Sequence, residues 1–271
     1  MPIEPTRVVL AIGALLLGCC VGSFVNVLIY RLPREKSVVS PGSHCFCCGT
    51  ELAARDLVPM LSLLLAGRRC RYCGVALSMQ YSWVEALCGL LYLAIYWRWG
   101  NTVTTVAYFI ATAALVAGTG TDLRHKIIPN SINQALLFTG LGAALLAWLM
   151  PRLPAPGLPS LKLALIGAVV GWCVFEAIVR LGRWWFGQEA MGGGDVLLAA
   201  GVGALIGPGR QFAAFFLISI LAGALIGGLL LVSGRMDRRD PIPFGPFLVL
   251  GALAVMLAPE LGHQVAALYG F

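Results

Sequence analysis

The chain has 271 residues, 59% of them hydrophobic and only 11% charged, with a formal net charge of +7. A soluble domain carries roughly 25% charged residues, so this balance excludes an ordinary soluble globule. The basic excess is no sign of a nucleic-acid partner, because the basic residues fall in loops between apolar runs, where membrane orientation places them.

Those apolar runs are continuous rather than alternating, which predicts an all-α polytopic membrane protein. Eight spans are predicted, at residues 8–30, 81–99, 102–121, 131–150, 161–181, 195–208, 211–233 and 244–260; the sixth is the shortest. The first run leads into Tyr30-Arg31-Leu32-Pro33 without a basic n-region or a small-residue cleavage site, so it reads as a retained span. Eight spans put both termini on one side, and alternate loops then divide the 19 Lys and Arg residues fourteen to five. The positive-inside bias makes the fourteen-residue side cytoplasmic and both termini external. The expected organisation is a first transmembrane helix at 1–30, a cytoplasmic loop at 31–80 and a seven-helix membrane domain at 81–271. The external stretch 151–160, PRLPAPGLPS, reads as a stiff, passive connector.

Nine cysteines divide between spans and loop. Cys19, Cys20, Cys88 and Cys173 lie in spans and read as small apolar filler. The loop holds Cys45 and Cys48 in one CxxC, then Cys70 and Cys73 in a second, each pair followed by glycine (Gly49, Gly74). Two such knuckles are the usual form of a four-cysteine structural Zn²⁺ site, in which each turn presents two thiolates to one tetrahedral ion. Disulfides are the competing reading, which a reducing cytoplasm disfavours. A loop this short buries too little to fold on its own, so a metal would supply much of its folding energy. Cys47 is surplus, and His44 reads as a loop histidine.

Met191-Gly192-Gly193-Gly194-Asp195 runs straight into an apolar stretch. An ionisable side chain at the mouth of a span is a functional-site hypothesis. The bland reading is a flexible loop ending in an N-cap aspartate. A second carboxylate, Asp122, ends the third span and belongs to the same predicted membrane face. Held close, two carboxylates share a proton, so one takes a proton from water while the other polarises a carbonyl. The alternative is that Asp122 pairs with Arg124 or Lys126 at a helix end. His125 reads as a headgroup or helix-end contact. Glu85, a cap for the second span, and Glu176, a buried contact or an approach to the site, are held in reserve.

Together these stretches resemble the prepilin peptidases, type IV leader peptidases of the GxGD class of membrane aspartyl proteases. Gly22-Ser23-Phe24-Val25-Asn26-Val27 with Tyr30-Arg31-Leu32-Pro33 is similar to the family's first-span signature, and Pro41-Gly42-Ser43-His44-Cys45 with both CxxC pairs to its zinc loop. Asp122 with Ile128-Pro129-Asn130, Gly192-Gly193-Gly194-Asp195, and Ile242-Pro243-Phe244-Gly245-Pro246-Phe247 follow in the family's order. The resemblance implies an enzyme of the bacterial inner membrane. It would cut the basic leader from type IV prepilins or type II secretion pseudopilins on the cytoplasmic face, with Asp122 and Asp195 as the catalytic pair. It implies Cys45, Cys48, Cys70 and Cys73 as Zn²⁺ ligands, and N-methylation of the new terminus with S-adenosylmethionine, whose site no residue pattern marks. Gly192, Gly193 and Gly194 are expected to clear a path for substrate beside Asp195. Two departures stand out: Phe46 where the family usually has proline, and Leu197 where it often has lysine. A proton-coupled transporter and a zinc-ribbon membrane scaffold are the competing functions, and oligomeric state is left open.

Overall fold

The computed structural model describes residues 4–45, 47–53, 56, 69–76, 78–187, 191–234 and 243–268. Among these residues there is no strand, only helices and two isolated β-bridges. The helices are α1 (Pro5–Arg31), α2 (Met79–Trp99), α3 (Val103–His125), α4 (Asn130–Leu149), α5 (Leu161–Phe186), α6 (Gly193–Ile206), α7 (Arg210–Val232), α8 (Gly245–Leu257) and α9 (Glu260–Leu268). Eight of the nine lie where spans were expected. The ninth, α9, was not anticipated, because a nine-residue segment carrying Glu260 and His263 has neither the length nor the apolar content of a span.

Among the described residues five helices are long and apolar enough to cross a membrane: Pro5–Arg34, Val103–His125, Asn130–Leu149, Leu161–Trp185 and Arg210–Val232. The α2 helix has the length, at 21 residues, but Glu85, Arg98 and its tyrosines and tryptophans lower its hydropathy. The α6 and α8 helices have 14 and 13 residues. At about 1.5 Å per residue each rises roughly 20 Å, short of a hydrocarbon core of about 30 Å. They are apolar because protein surrounds them.

The chain divides into two compact units, Met1–Gly100 and Asn101–Phe271. In the first, α1 and α2 lie against each other along their lengths. Ser78 caps α2 by accepting from the Gln80 N–H, so Glu85 is not the cap; it sits seven residues in and is buried. Asn26 of α1 ties the pair by donating Nδ2 to the Tyr81 carbonyl at 3.2 Å.

In the second unit, α6 is enclosed chiefly by α5 and α4, and α8 packs on α7 and α3. Serine and threonine fix the helix starts: Thr102 accepts from Thr105 N at α3, and Ser160 from Leu163 N at α5. The proline-rich connector is more than passive, because Pro154 and Pro156 offer their carbonyls to Val103 N (3.0 Å) and Thr104 Oγ1 (2.6 Å) at the start of α3. Eleven residues of α6 are buried, from Asp195 and Val196 through Leu198–Ile206. That enclosure requires backbone-to-backbone approach. A Cβ at Gly167 of α5 would strike the Gly203 carbonyl of α6, and one at Gly171 would strike the Ala199 carbonyl. One turn of small residues on each helix thus replaces side-chain interdigitation with direct contact.

The expected outcome for Gly203→Leu is a loss of roughly 3 kcal/mol or more, from overpacking a contact with no slack. Gly142→Ala, at a position with nothing within 4 Å of the added carbon, should leave stability nearly unchanged. Thermal unfolding of the detergent-solubilised variants separates the two cases.

Candidate active site

The α3 helix does not stop at Thr121, where the span was expected to end, but continues to His125. Asp122 is therefore inside the last turn, and it is 5% exposed. Its Oδ2 accepts the Gly245 N–H at 2.9 Å, which settles its partner as a backbone amide of α8 rather than a cation of its own helix end. A Cβ at position 245 would stand 2.7 Å from that oxygen, so only glycine lets the amide reach the carboxylate undisturbed. Here the PFGP stretch has a physical role: its glycine delivers one N–H at the start of α8.

Asp195 lies in the first turn of α6. The N-cap is Gly192, which places Asp195 at the third helical position, so the N-cap reading of the aspartate does not hold. Its carboxylate reaches back over Gly192, with Oδ2 3.8 Å from where a Cβ of that glycine would stand. The side chain is 8% exposed, and Oδ1 is buried with no hydrogen-bond partner. Ile128 packs both against Gly245, whose amide holds Asp122, and against Gly194, the residue before Asp195, so two distant stretches of chain meet around one side chain.

The three glycines before Asp195 differ in their surroundings. A Cβ on Gly193 would meet nothing within 4 Å, and one on Gly192 would meet only Asp195 Oδ2. Gly194 is packed: a Cβ there would approach the Ile128 Cβ at 3.1 Å, and its carbonyl accepts Asn133 Nδ2 at 3.1 Å. Ile128 is a wedge, since glycines 118, 194 and 245 all face it from three different helices. Leu197 is the exposed large residue of α6.

Sequence reasoning did not find Asn133 as part of the site. Besides holding Gly194, it leaves Oδ1 buried without a partner, as does Nε2 of His125, one turn along α3 from Asp122. A second polar residue one turn after Asn130, at the start of an apolar helix, was the available signal. Buried polar atoms are almost always paired; among the described residues the exceptions are Oδ1 of Asn26, Asn133 and Asp195, Oγ1 of Thr112 and Nε2 of His125, so that nitrogen of His125 is buried in protein.

In the first unit, the two CxxC segments form matching knuckles. Cys45 N bonds to Thr50 O and Gly49 N to Cys45 O; in the second, Cys70 N bonds to Val75 O and Gly74 N to Cys70 O, all at 2.8–2.9 Å. Gly49 and Gly74 have φ of 71° and 74°, a left-handed turn that glycine adopts without steric cost. The ligand atoms of Cys45, Cys48, Cys70 and Cys73 lie within 4.8 Å of one another, an arrangement that can hold a metal ion. Two sulfurs on one tetrahedral Zn²⁺, each at about 2.3 Å, stand about 3.8 Å apart, and Cys45 and Cys73 Sγ are 3.8 Å apart. Cys47 is exposed and outside the cluster, and Phe46 falls outside the described residues. Buried Arg31 anchors the loop by donating to the carbonyls of Ser37 (3.0 Å), Pro41 (2.7 Å) and Gly42 (3.2 Å).

Backbone N–H donors prepare three of the thiols. Those of Cys48 and Cys47 hold Cys45 below its ordinary range, and those of Tyr72 and Cys73 do the same for Cys70. Thr50, through side chain and backbone, lowers Cys48. Cys73 is pushed up to about 12: the Val75 amide pulls it down, but burial and the thiols of Cys70, Cys48 and Cys45 outweigh that pull.

With this geometry in view, comparison with known proteins is consistent along the chain. The model of the Bacterial Peptidase A24 N-terminal domain matches residues 16–99, and that of the Type IV leader peptidase family matches residues 109–228. A "Prepilin leader peptidase/N-methyltransferase" of Myxococcus xanthus is 37% identical over 230 residues, covering 84% of this chain and 66% of that protein. Proteins of the same name from Xanthomonas campestris and Pseudomonas aeruginosa are 33% and 31% identical. They cover 88% and 94% of this chain, and 88% and 91% of their own lengths. No solved structure matches. The matched segments hold both aspartates and all four clustered cysteines, and on these matches the chain belongs to the type IV leader peptidase family.

Proposed function

We propose that the chain is a multi-pass membrane aspartic endopeptidase. It removes the basic leader of type IV prepilins or type II secretion pseudopilins at the cytoplasmic face and then N-methylates the new terminus. What supports this reading is that the family's two motif aspartates are both buried, Asp122 at the end of α3 held by a backbone amide and Asp195 at the start of α6 with a buried oxygen unpaired, with Ile128 packed between their segments. The names of the related proteins and the fourteen-to-five division of basic residues support the substrate and the sidedness.

The chemistry follows from who donates to whom. Asp122, stabilised as an anion by the Gly245 N–H, is the base: water attacks the scissile carbonyl carbon and gives its proton to Asp122. Asp195 carries the shared proton and donates it to the carbonyl oxygen, where charge develops. Collapse of the tetrahedral intermediate breaks the C–N bond, the departing amine takes a proton from Asp122, and a hydroxyl of the intermediate returns its proton to Asp195, which restores the pair. Asn133 Oδ1 and His125 Nε2 offer further polar contacts to the peptide backbone, and Gly192 and Gly193 leave room for it. S-adenosylmethionine would supply the methyl group for the second activity.

The metal is Zn²⁺ on Cys45, Cys48, Cys70 and Cys73, and its role is structural. Four thiolates complete a tetrahedral shell and leave no open position for water.

Asp122→Asn and Asp195→Asn, each folded, are expected to retain less than about one thousandth of wild-type leader cleavage, in line with the loss of a positioned acid or base. Mass spectrometry of a purified prepilin incubated with each variant reads this directly, and full cleavage by either would remove the dyad. Gly245→Ala should lower kcat at least tenfold with KM little changed, because the displaced carboxylate matters most in the transition state. Metal analysis of the purified enzyme should find one zinc per chain. Zinc should be retained at neutral pH and released on acidification, because protons compete for thiolates that must be unprotonated to bind. Cys45→Ser and Cys70→Ser should each lose the metal and lower the thermal stability.

A further inference from the structure

We propose that Asn133 is a positioning residue for the peptidase reaction. Its side-chain amide fixes the peptide plane that enters Asp195, and so the direction in which Asp195 presents its carboxylate. The proposal rests on the peptidase reading above and gives α4 a part in it that neither aspartate supplies.

The α4 helix meets α6 along one face, on which Asn133, Leu136 and Gly140 recur at helical spacing. A Cβ on Gly201 of α6 would come within 3.0 Å of the Leu136 side chain, and a Cβ on Gly140 would stand 2.8 Å from the backbone of Ala204 and Leu205. Two of these three contacts are apolar, and an apolar residue in the first place would continue them. That place instead holds an amide, 3% exposed, whose Nδ2 donates to the Gly194 carbonyl at 3.1 Å while its Oδ1 is buried without a partner. Burying an amide with its acceptor unused costs stability. Packing alone therefore does not account for asparagine at this position.

The bond falls on the peptide unit that joins Gly194 to Asp195. Because that unit is planar, the direction of its carbonyl fixes the plane in which the Asp195 Cα lies. Its other polar group, the Asp195 N–H, donates to the Gly192 carbonyl at 3.1 Å inside the same turn. The plane is thus held at both ends, by α6 itself at the N–H and by α4 at the carbonyl. The turn has few other anchors. A Cβ on Gly193 would meet nothing within 4 Å, and one on Gly192 would meet only Asp195 Oδ2. Ile128, packed on Gly194, sets the distance of the turn from α4. The hydrogen bond adds direction, since donor and acceptor must line up. Reacting groups displaced by about 1 Å lose as much as about a hundredfold in rate.

The test compares wild type with Asn133→Leu, which keeps the branched outline of the side chain without its donor, and Asn133→Ala, which removes the donor without adding bulk. Each full-length enzyme is purified in neutral detergent, its thermal unfolding is recorded, and cleavage of a purified prepilin is measured over a range of substrate concentrations. Both variants should lower kcat about thirtyfold and leave KM within about twofold of wild type, because the peptide plane aims the reacting carboxylate and does not bind substrate. Asn133→Leu should unfold at a temperature no lower than wild type, since the unpaired oxygen is removed together with the donor. Wild-type kcat in either folded variant overturns the proposal. A raised KM at unchanged kcat also overturns it, by making Asn133 a substrate contact. So does a fall in kcat that disappears once corrected for the folded fraction, which makes Asn133 a packing residue. Failure of wild type to cleave the prepilin overturns the peptidase reading and the positioning role with it.

Discussion

A helix of fourteen residues cannot cross a bilayer, yet α6 is among the most apolar segments of the chain. Its composition makes sense if protein takes the place of lipid around most of it, Leu197 being the exposed exception. Helices α5 and α4 supply that enclosure, and they come close enough only because glycines 167 and 171 on α5, and Gly140 on α4, present no side chains to it. Asp195, in the first turn of α6, is therefore buried in protein. The small-residue contacts and the buried carboxylate are two consequences of one short helix.

That burial governs the chemistry. In a low-dielectric setting an unpaired polar group is costly and a paired one is strong. The second unit accepts the cost at Thr112 Oγ1, Asp195 Oδ1, Asn133 Oδ1 and His125 Nε2, while Asp122 is satisfied by a single backbone amide. Ile128 keeps it in shape. By filling the space between Gly118, Gly194 and Gly245 it sets the separation of the three helices that carry Asp122, Asp195 and the amide of Gly245. The IIPN stretch thus acts as a spacer whose proline also starts α4.

The first unit solves a different problem with different means. Its loop has too few residues to bury a core, and what order it shows comes from backbone geometry: two matching knuckles, left-handed turns at Gly49 and Gly74, and the three carbonyls gathered by Arg31. A guanidinium with its donors spread in a plane holds these three carbonyls from two of its nitrogens, Nη1 and Nη2.

What could be read in advance was what local spacing encodes. The CxxC pairs, the apolar runs and the two aspartates declare themselves because each is a pattern within a few residues. Helix ends were less legible. α3 runs past Asp122, and α6 begins two residues before Asp195, because cap geometry depends on backbone angles that a run of glycines leaves undetermined. Least legible were contacts joining distant segments: Gly245 to Asp122, Asn133 to Gly194, Ile128 against three glycines. Each is ordinary in composition and acquires meaning only from packing.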